Sequence, residues 1–127
     1  MKIFRLTLQV GDADRALDFY GKLLGVAGRK VGGGRVYFDC GPMILALLTP
    51  EGDAAPIPEY VYFATADLEA AHARATQLGA LSTELVHGES AAEMRQRPWG
   101  ERSFYAVDPW GNGLCFVDEK TLFTGRR

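Results

Sequence analysis

The chain repeats itself, and the repeat limits its fold more than any other feature. Asp12 and Asp67 stand 55 residues apart, each between an alternating apolar run and a helical pattern, and the same offset pairs Ala16 with Ala71 and Leu23 with Leu78. Later, Asp39 with Leu45-Ala46-Leu47 matches Asp108 with Leu114-Cys115-Phe116 at an offset of 69. The larger offset places about fourteen extra residues in the second half, in the polar stretch HGESAAEMRQRPWG (87–100). Neither half is large enough to close a core alone, so the two must associate.

Within each half the periodicity defines the elements. Residues 3–10 (IFRLTLQV) alternate, with Ile3, Leu6, Leu8 and Val10 on one face, as in a half-buried strand. Asp12 then caps a helix whose Ala16, Phe19, Tyr20, Leu23 and Leu24 share a stripe, with Gly25 as its stop. Gly32-Gly33-Gly34 forms a turn or a flexible connection before two further strands, RVYFD (35–39) and MILALL (43–48), joined by Cys40-Gly41-Pro42. The stretch TPEGDAAPIPE (49–59) holds three prolines and no period, and reads as a linker. Residues 60–80 then repeat the opening: a strand, the Asp67 cap and a helix ending at Leu78-Gly79. The expected architecture is an α+β fold of two βαβββ modules, about 1–50 and 59–120, in a single domain spanning 1–127. A ferredoxin-like double βαβ is the competing topology, but it lacks the later strands. Two such sheets leave a concave surface between them, the natural place for a ligand.

Composition narrows the classes of function. With 127 residues, 47% of them hydrophobic, the chain can form a core without disulfides. Fourteen basic against sixteen acidic residues give a net charge of −2, so neither nucleic acid nor a membrane surface is an expected partner. No apolar run reaches the ~20 residues of a membrane span, and Met-Lys-Ile-Phe-Arg opens without a signal-peptide apolar region. Cys40 and Cys115 lack CxxC spacing and read as reduced thiols, so a cytoplasmic location is expected.

The opening LTLQVGDADRALDFYGKLLG and the closing PWGERSFYAVDPWGNGLCFVD (98–118) resemble the vicinal oxygen chelate superfamily, which includes glyoxalase I, extradiol dioxygenases and the fosfomycin- and bleomycin-resistance proteins. The PWG-x-R-x-F-x-x-x-DP-x-GN form is most similar to the bleomycin-resistance branch. The resemblance implies the glyoxalase/bleomycin-resistance/dioxygenase fold, a homodimer that completes its cavities across a two-fold axis, and, in metal-dependent members, ligands on the first and last strand of each module. The repeat maps those positions to Arg5 and Tyr60, and to Ala46 and Cys115. None is the His, Glu or Gln of such a site, so no catalytic metal or other cofactor is expected.

Other candidates are weaker. His72 on the second helix and His87 in the insertion read as solvated side chains, although His87 can fold over the cavity; Glu59 and Asp39 read as strand-end carboxylates. Cys115 is either a small buried hydrophobe or a nucleophile activated by Arg5 across the cavity. Inward positions by alternation are Thr7, Ile44, Ala46, Leu48, Tyr60, Tyr62 and Cys115, joined by Tyr37 and Tyr105, with Trp99 and Trp110 at strand ends. Arg5, if buried, requires Asp39, Glu101 or an anionic ligand as its counter-charge. The expected function is metal-independent binding of a small, partly aromatic molecule in the inter-sheet cavity, a sequestration like that of the bleomycin-resistance branch, by Arg5, Thr7, Ala46, Tyr60, Tyr62, Trp99, Tyr105 and Cys115. The alternatives are a glyoxalase- or dioxygenase-type enzyme with atypical ligands or Cys115, and a structural or regulatory dimer module.

Overall fold

The computed structural model describes residues 1–125; Arg126 and Arg127, the end of the domain expected from the sequence, lie outside the described residues. The alternating opening forms β1 (Arg5–Gln9), shorter than 3–10; past its ends the ladder continues through the Phe4 carbonyl, which accepts from Ile44 N at 2.8 Å, and through Val10 N, which donates to Leu48 O at 2.9 Å. Helix α1 (Ala13–Leu24) starts where Asp12 Oδ1 accepts from Arg15 N at 2.9 Å. It stops at Gly25, whose φ of 70° is the left-handed conformation that favours glycine. Ala16, Phe19, Tyr20 and Leu23 form its buried stripe. The remaining strands of the first module are β2 (Arg29–Gly32), β3 (Arg35–Cys40) and β4 (Met43–Leu48), so the three glycines make a hairpin turn.

The second module repeats this plan with β5 (Tyr60–Thr65), α2 (Leu68–Gln77), β8 (Arg95–Gln96), β9 (Arg102–Val107) and β10 (Gly113–Asp118). The sheets run β1-β4-β3-β2 and β5-β10-β9-β8, each with one parallel pair, β1 with β4 and β5 with β10. The second module's extra residues, expected as the polar stretch 87–100, begin at the turn of a short hairpin, β6 (Leu85–Val86) and β7 (Glu89–Ser90). A 3-10 turn at Glu119–Thr121 leads into the C-terminal tail.

One apolar core spans both modules. The helix-facing residues Leu8, Leu45 and Leu47 of the first sheet and Phe104, Leu114 and Phe116 of the second pack with the stripes of α1 and α2 into a single cluster. The turn after β9 locks the modules together. There Asp108, buried, accepts from Tyr20 Oη at 2.7 Å, from the amides of Trp110 and Asn112, and from Asn112 Nδ2. Asn112 Nδ2 also donates to Gln9 O, and the Trp110 indole covers Gly11 so closely that no Cβ would fit there.

This corrects the pairing of Asp39 with Asp108 inferred from the sequence. Asp39 pairs with Ile44, but Gly113, the counterpart of Ile44, pairs with Val107, because the β9–β10 turn is longer than the β3–β4 turn. Asp39 therefore sits exposed on its strand in an ion pair with Arg29 at 3.0 Å, while Asp108 falls inside the longer turn.

Candidate functional site

Alternation that sends Leu114 and Phe116 toward the helices sends Cys115 to the opposite face of its sheet. There it lies in a cross-strand row, with Tyr62 of β5 on one side and Tyr105 of β9 on the other. The same row in the first module is Thr7, Ala46 and Tyr37. Arg5 and Tyr60 occupy the neighbouring position on their respective edge strands. Seven of the eight candidates lie on strands, on the faces turned away from the helices, and Trp99 lies in the turn between β8 and β9.

The insertion covers the second face. The β6–β7 hairpin turns at His87 and Gly88, with φ of 51° and 78°, the positive pair that two-residue hairpins require. Beyond it, Ala91 O accepts from Tyr105 N at 2.8 Å, and Ala91 and Val86 pack against Tyr105, Cys115 and Val117. Arg97, 2% exposed, fastens the cover. Its guanidinium donates to Ser103 Oγ and to the carbonyls of Ser90, Glu93 and Ser103, and lies over the Tyr105 ring at 5.2 Å. Cys115 and Tyr105 are left only 1% exposed.

Burial sets their protonation. Desolvation pushes the Cys115 thiol up to about 12, against smaller lowering effects of hydrogen bonds with Ser103 and Tyr105. Desolvation also raises the Tyr105 phenol, helped by Cys115 and Tyr62. Tyr60 is raised by desolvation and then by Glu84, to which its hydroxyl donates at 3.3 Å. At neutral pH all three are neutral and protonated, so Cys115 is no thiolate nucleophile. Arg5, the activator the sequence suggested, does not meet it; the cation acting on Cys115 is Arg97.

A cavity of about 460 Å³ opens on this face between Tyr62, Trp99, Glu101, Val117, Leu122 and Phe123. Tyr62, 57% exposed, forms one rim, and the C-terminal tail forms the other. Glu101 holds the walls: Oε1 accepts from Trp99 Nε1 at 2.7 Å and Oε2 from Phe123 N at 2.9 Å. The His87 ring meets Trp99 edge to face at 5.1 Å, so the hairpin tip supports that wall. Tyr60 instead lines a smaller cavity of about 260 Å³ beside Ser82, Glu84 and Gly113. A third, of about 490 Å³, lies between the modules, where Leu6, Leu45, Val61, Phe63 and Phe116 line it with Arg74.

The candidates therefore fall into two groups. Tyr62 and Trp99 share the 460 Å³ cavity, Cys115 and Tyr105 adjoin Tyr62 beneath the cover, and Tyr60 packs on Tyr105 with ring centroids 4.9 Å apart. Arg5, Thr7 and Ala46 belong to the first module's face. Arg5 is exposed rather than buried, donates to Tyr37 Oη at 3.2 Å, and stacks over Phe4 and Tyr37. Neither suggested counter-charge reaches it, since Asp39 pairs with Arg29 and Glu101 with Trp99 and the tail. Trp110 is spent on Gly11, and His72 Nε2 meets Ala92 O at 2.8 Å. Sequence reasoning missed Glu101, Leu122 and Phe123 as cavity walls, although Trp99-x-Glu101 was visible as a spacing that brings an indole to a carboxylate. Among the described residues no three His, Cys, Asp or Glu side chains gather in a way that could hold a metal ion. No helix is long and apolar enough to cross a membrane.

Comparison with known proteins gives one consistent result. A sequence profile described as Glyoxalase/Bleomycin resistance protein/Dioxygenase superfamily matches residues 2–116. A solved lactoylglutathione lyase from Agrobacterium tumefaciens is 27% identical, with 94% of each chain covered and a TM-score of 0.66. A member of the superfamily from Sphaerobacter thermophilus is 26% identical over 94% of this chain and 98% of its own, at a TM-score of 0.69. The oxidase ChaP-H1, 19% identical over 93% of this chain and 95% of its own, superposes at a TM-score of 0.77, which shows a shared fold. No curated protein matches the chain in sequence.

Proposed function

The chain belongs to the glyoxalase/bleomycin resistance protein/dioxygenase superfamily, and from that premise we propose that it binds a small, partly aromatic molecule on the second module's face without a metal. The observation that carries this reading is the 460 Å³ cavity, whose Tyr62, Trp99 and Phe123 offer flat apolar surface of the size a ring system fills. One fold hosts many chemistries, so membership itself selects no reaction.

The donor chemistry argues against the metal that the resemblance implies for other members. At the four strand positions stand a guanidinium, a methyl group, a phenol and a thiol. Arg5 is cationic, Ala46 has no donor atom, and both Tyr60 and Cys115 are held in their protonated forms by burial. Such a set does not fit a divalent cation, and no step is routed through one. The raised thiol equally disfavours covalent chemistry at Cys115.

The same proposal includes a homodimer. Both β1 and β5 are edge strands, and Ile3, Phe4 and Tyr62 are apolar and exposed along them. Pairing would bring the first module's face of one copy, with Arg5 and Thr7, toward the cavity of the other. Elemental analysis and native mass spectrometry of the purified protein test these points. Substoichiometric Zn, Ni, Fe and Mn together with a mass of two chains is expected. One tightly held metal per chain would overturn the metal-free reading, and a mass of 13.9 kDa at micromolar concentration the dimer.

A further inference from the structure

The geometry points to a second ligand site: the cavity of about 490 Å³ between the modules takes a carboxylic acid with an apolar body, its carboxylate held by Arg74. This site does not depend on binding at the second module's face, and its failure would leave that reading standing. Its walls are Leu6 and Leu45 of the first sheet, Val61, Phe63 and Phe116 of the second, and Val26 just after α1. Leu45 and Phe116 belong to the core, and Val61 and Phe63 pack against it, so the cavity opens on the helix side of both sheets. The tail residues Leu122 to Thr124 line the other cavity instead, with Val117 on the opposite face of β10. Leu6 and Val26 remain 37% and 44% exposed, which leaves apolar surface for a small molecule to cover.

Arg74 selects the charge of that molecule. Two contacts hold its guanidinium in place: Nε donates to Leu23 O at 2.9 Å near the end of α1, and the group lies against Gly25, where an added Cβ would crowd it. The single hydrogen bond through Nε leaves the two terminal nitrogens as donors, and among the described residues Arg74 forms no ion pair. No other Lys, Arg or His lines the cavity among the described residues. The one acidic residue that does, Asp39, is already paired with Arg29 at 3.0 Å. A guanidinium fixed before the ligand arrives loses little freedom on binding, and its planar donors match a carboxylate. The apolar walls accept the rest of the ligand, whereas an amine would meet Arg74 as a like charge.

Calorimetric titration with octanoate, octan-1-ol and octylammonium separates the outcomes. Octanoate should bind at least about tenfold more tightly than the alcohol, and the ammonium should bind weakest. Arg74→Met, where circular dichroism shows it folded, should lower the affinity for octanoate about tenfold and that for the alcohol less than about threefold, while Arg74→Lys keeps part of the preference. Val26→Trp, at a position the core does not need, should fill the cavity and abolish binding. Cys40 lines the same cavity, so octanoate should slow its alkylation by iodoacetamide in a Cys115→Ala chain. Equal affinity for octanoate and octan-1-ol overturns the inference, as does octanoate binding that survives Val26→Trp and leaves Cys40 unprotected. Binding of none of the three also overturns it, and loss of the dimer in Val26→Trp would then assign the cavity to a second copy of the chain.

Discussion

The two modules share a backbone plan and differ in what lies on the face opposite the helices. In the second module Cys115 and Tyr105 are sealed under residues 85–97, and just beyond that cover Trp99 and Glu101 wall a cavity. In the first module the equivalent row of Thr7, Ala46 and Tyr37 has no such cover, and Thr7 stays exposed. Duplication supplied two equivalent surfaces, and an insertion in one copy made them different. The 460 Å³ cavity therefore follows from what surrounds the sheet, Trp99 and Glu101 beyond the added segment and the C-terminal tail, rather than from the sheet alone.

The difference is sharpest at the residues that the repeat pairs in sequence but the structure does not. Asp108→Ala removes the acceptor for Tyr20, for two amides and for Asn112, stranding buried donors, and should cost about 3–5 kcal/mol in urea unfolding. Asp39→Ala breaks only an exposed ion pair with Arg29 and should cost less than about 1 kcal/mol. Similar losses for the two would mean that the modules are joined elsewhere.

Arg97→Met tests whether the cover is what distinguishes the second face. The change leaves the carbonyls of Ser90, Glu93 and Ser103 without their donor, and should lower stability by roughly 2–4 kcal/mol. It should also loosen the insertion and speed the reaction of Cys115 with a thiol reagent, measured in a Cys40→Ala background. Unchanged thiol reactivity would show that the cover holds without its arginine.

Alkaline pH acts on one face more than on the other. A group whose folded value is raised stabilises fully below its unfolded value, and that contribution is lost as pH climbs toward the folded value. For Cys115 the window opens near 9 and runs to about 12. At pH 10 the loss from this group is on the order of 1 kcal/mol. Cys115→Ala, which makes the second row resemble the first, should flatten the fall in melting temperature between pH 8 and 10. A fall of equal slope in the variant would assign it to other groups, with Tyr20 first because burial and Asp108 raise its phenol.

What could be read in advance followed from period and offset. Both caps, both helices, β4 to the residue and the alternation of the strand residues came from local pattern, because alternation and helical spacing are properties of neighbouring residues. The β3–β9 correspondence slipped by one residue because turn length does not show in an offset measured on the flanking strands. The cavity was legible only in part. Tyr62 and Trp99 were visible as aromatics at strand positions, but Glu101 and Phe123 are 22 residues apart and meet through a single main-chain hydrogen bond. Arg5 was misjudged because an inward strand position was equated with burial, which holds only where something lies over the face.

The smallest expected effect is the most informative about that open face. Arg5 makes one hydrogen bond to Tyr37 and stacks on Phe4 and Tyr37 at the surface, so Arg5→Met should change stability by less than about 1 kcal/mol. Within one chain it should leave binding in the 460 Å³ cavity untouched, since its contacts all lie on the first module. If two copies pair through β1 and β5, however, Arg5 of one copy approaches the other's cavity, where its charge acts on any charged ligand. Arg5→Met would then shift the affinity of a charged aromatic probe and leave that of its uncharged isostere unchanged, and dilution to the monomer would erase the difference. Titrations above and below the dimer's dissociation range distinguish the cases. A concentration-dependent shift makes the first module part of the second module's site, and no change at any concentration leaves the two faces independent.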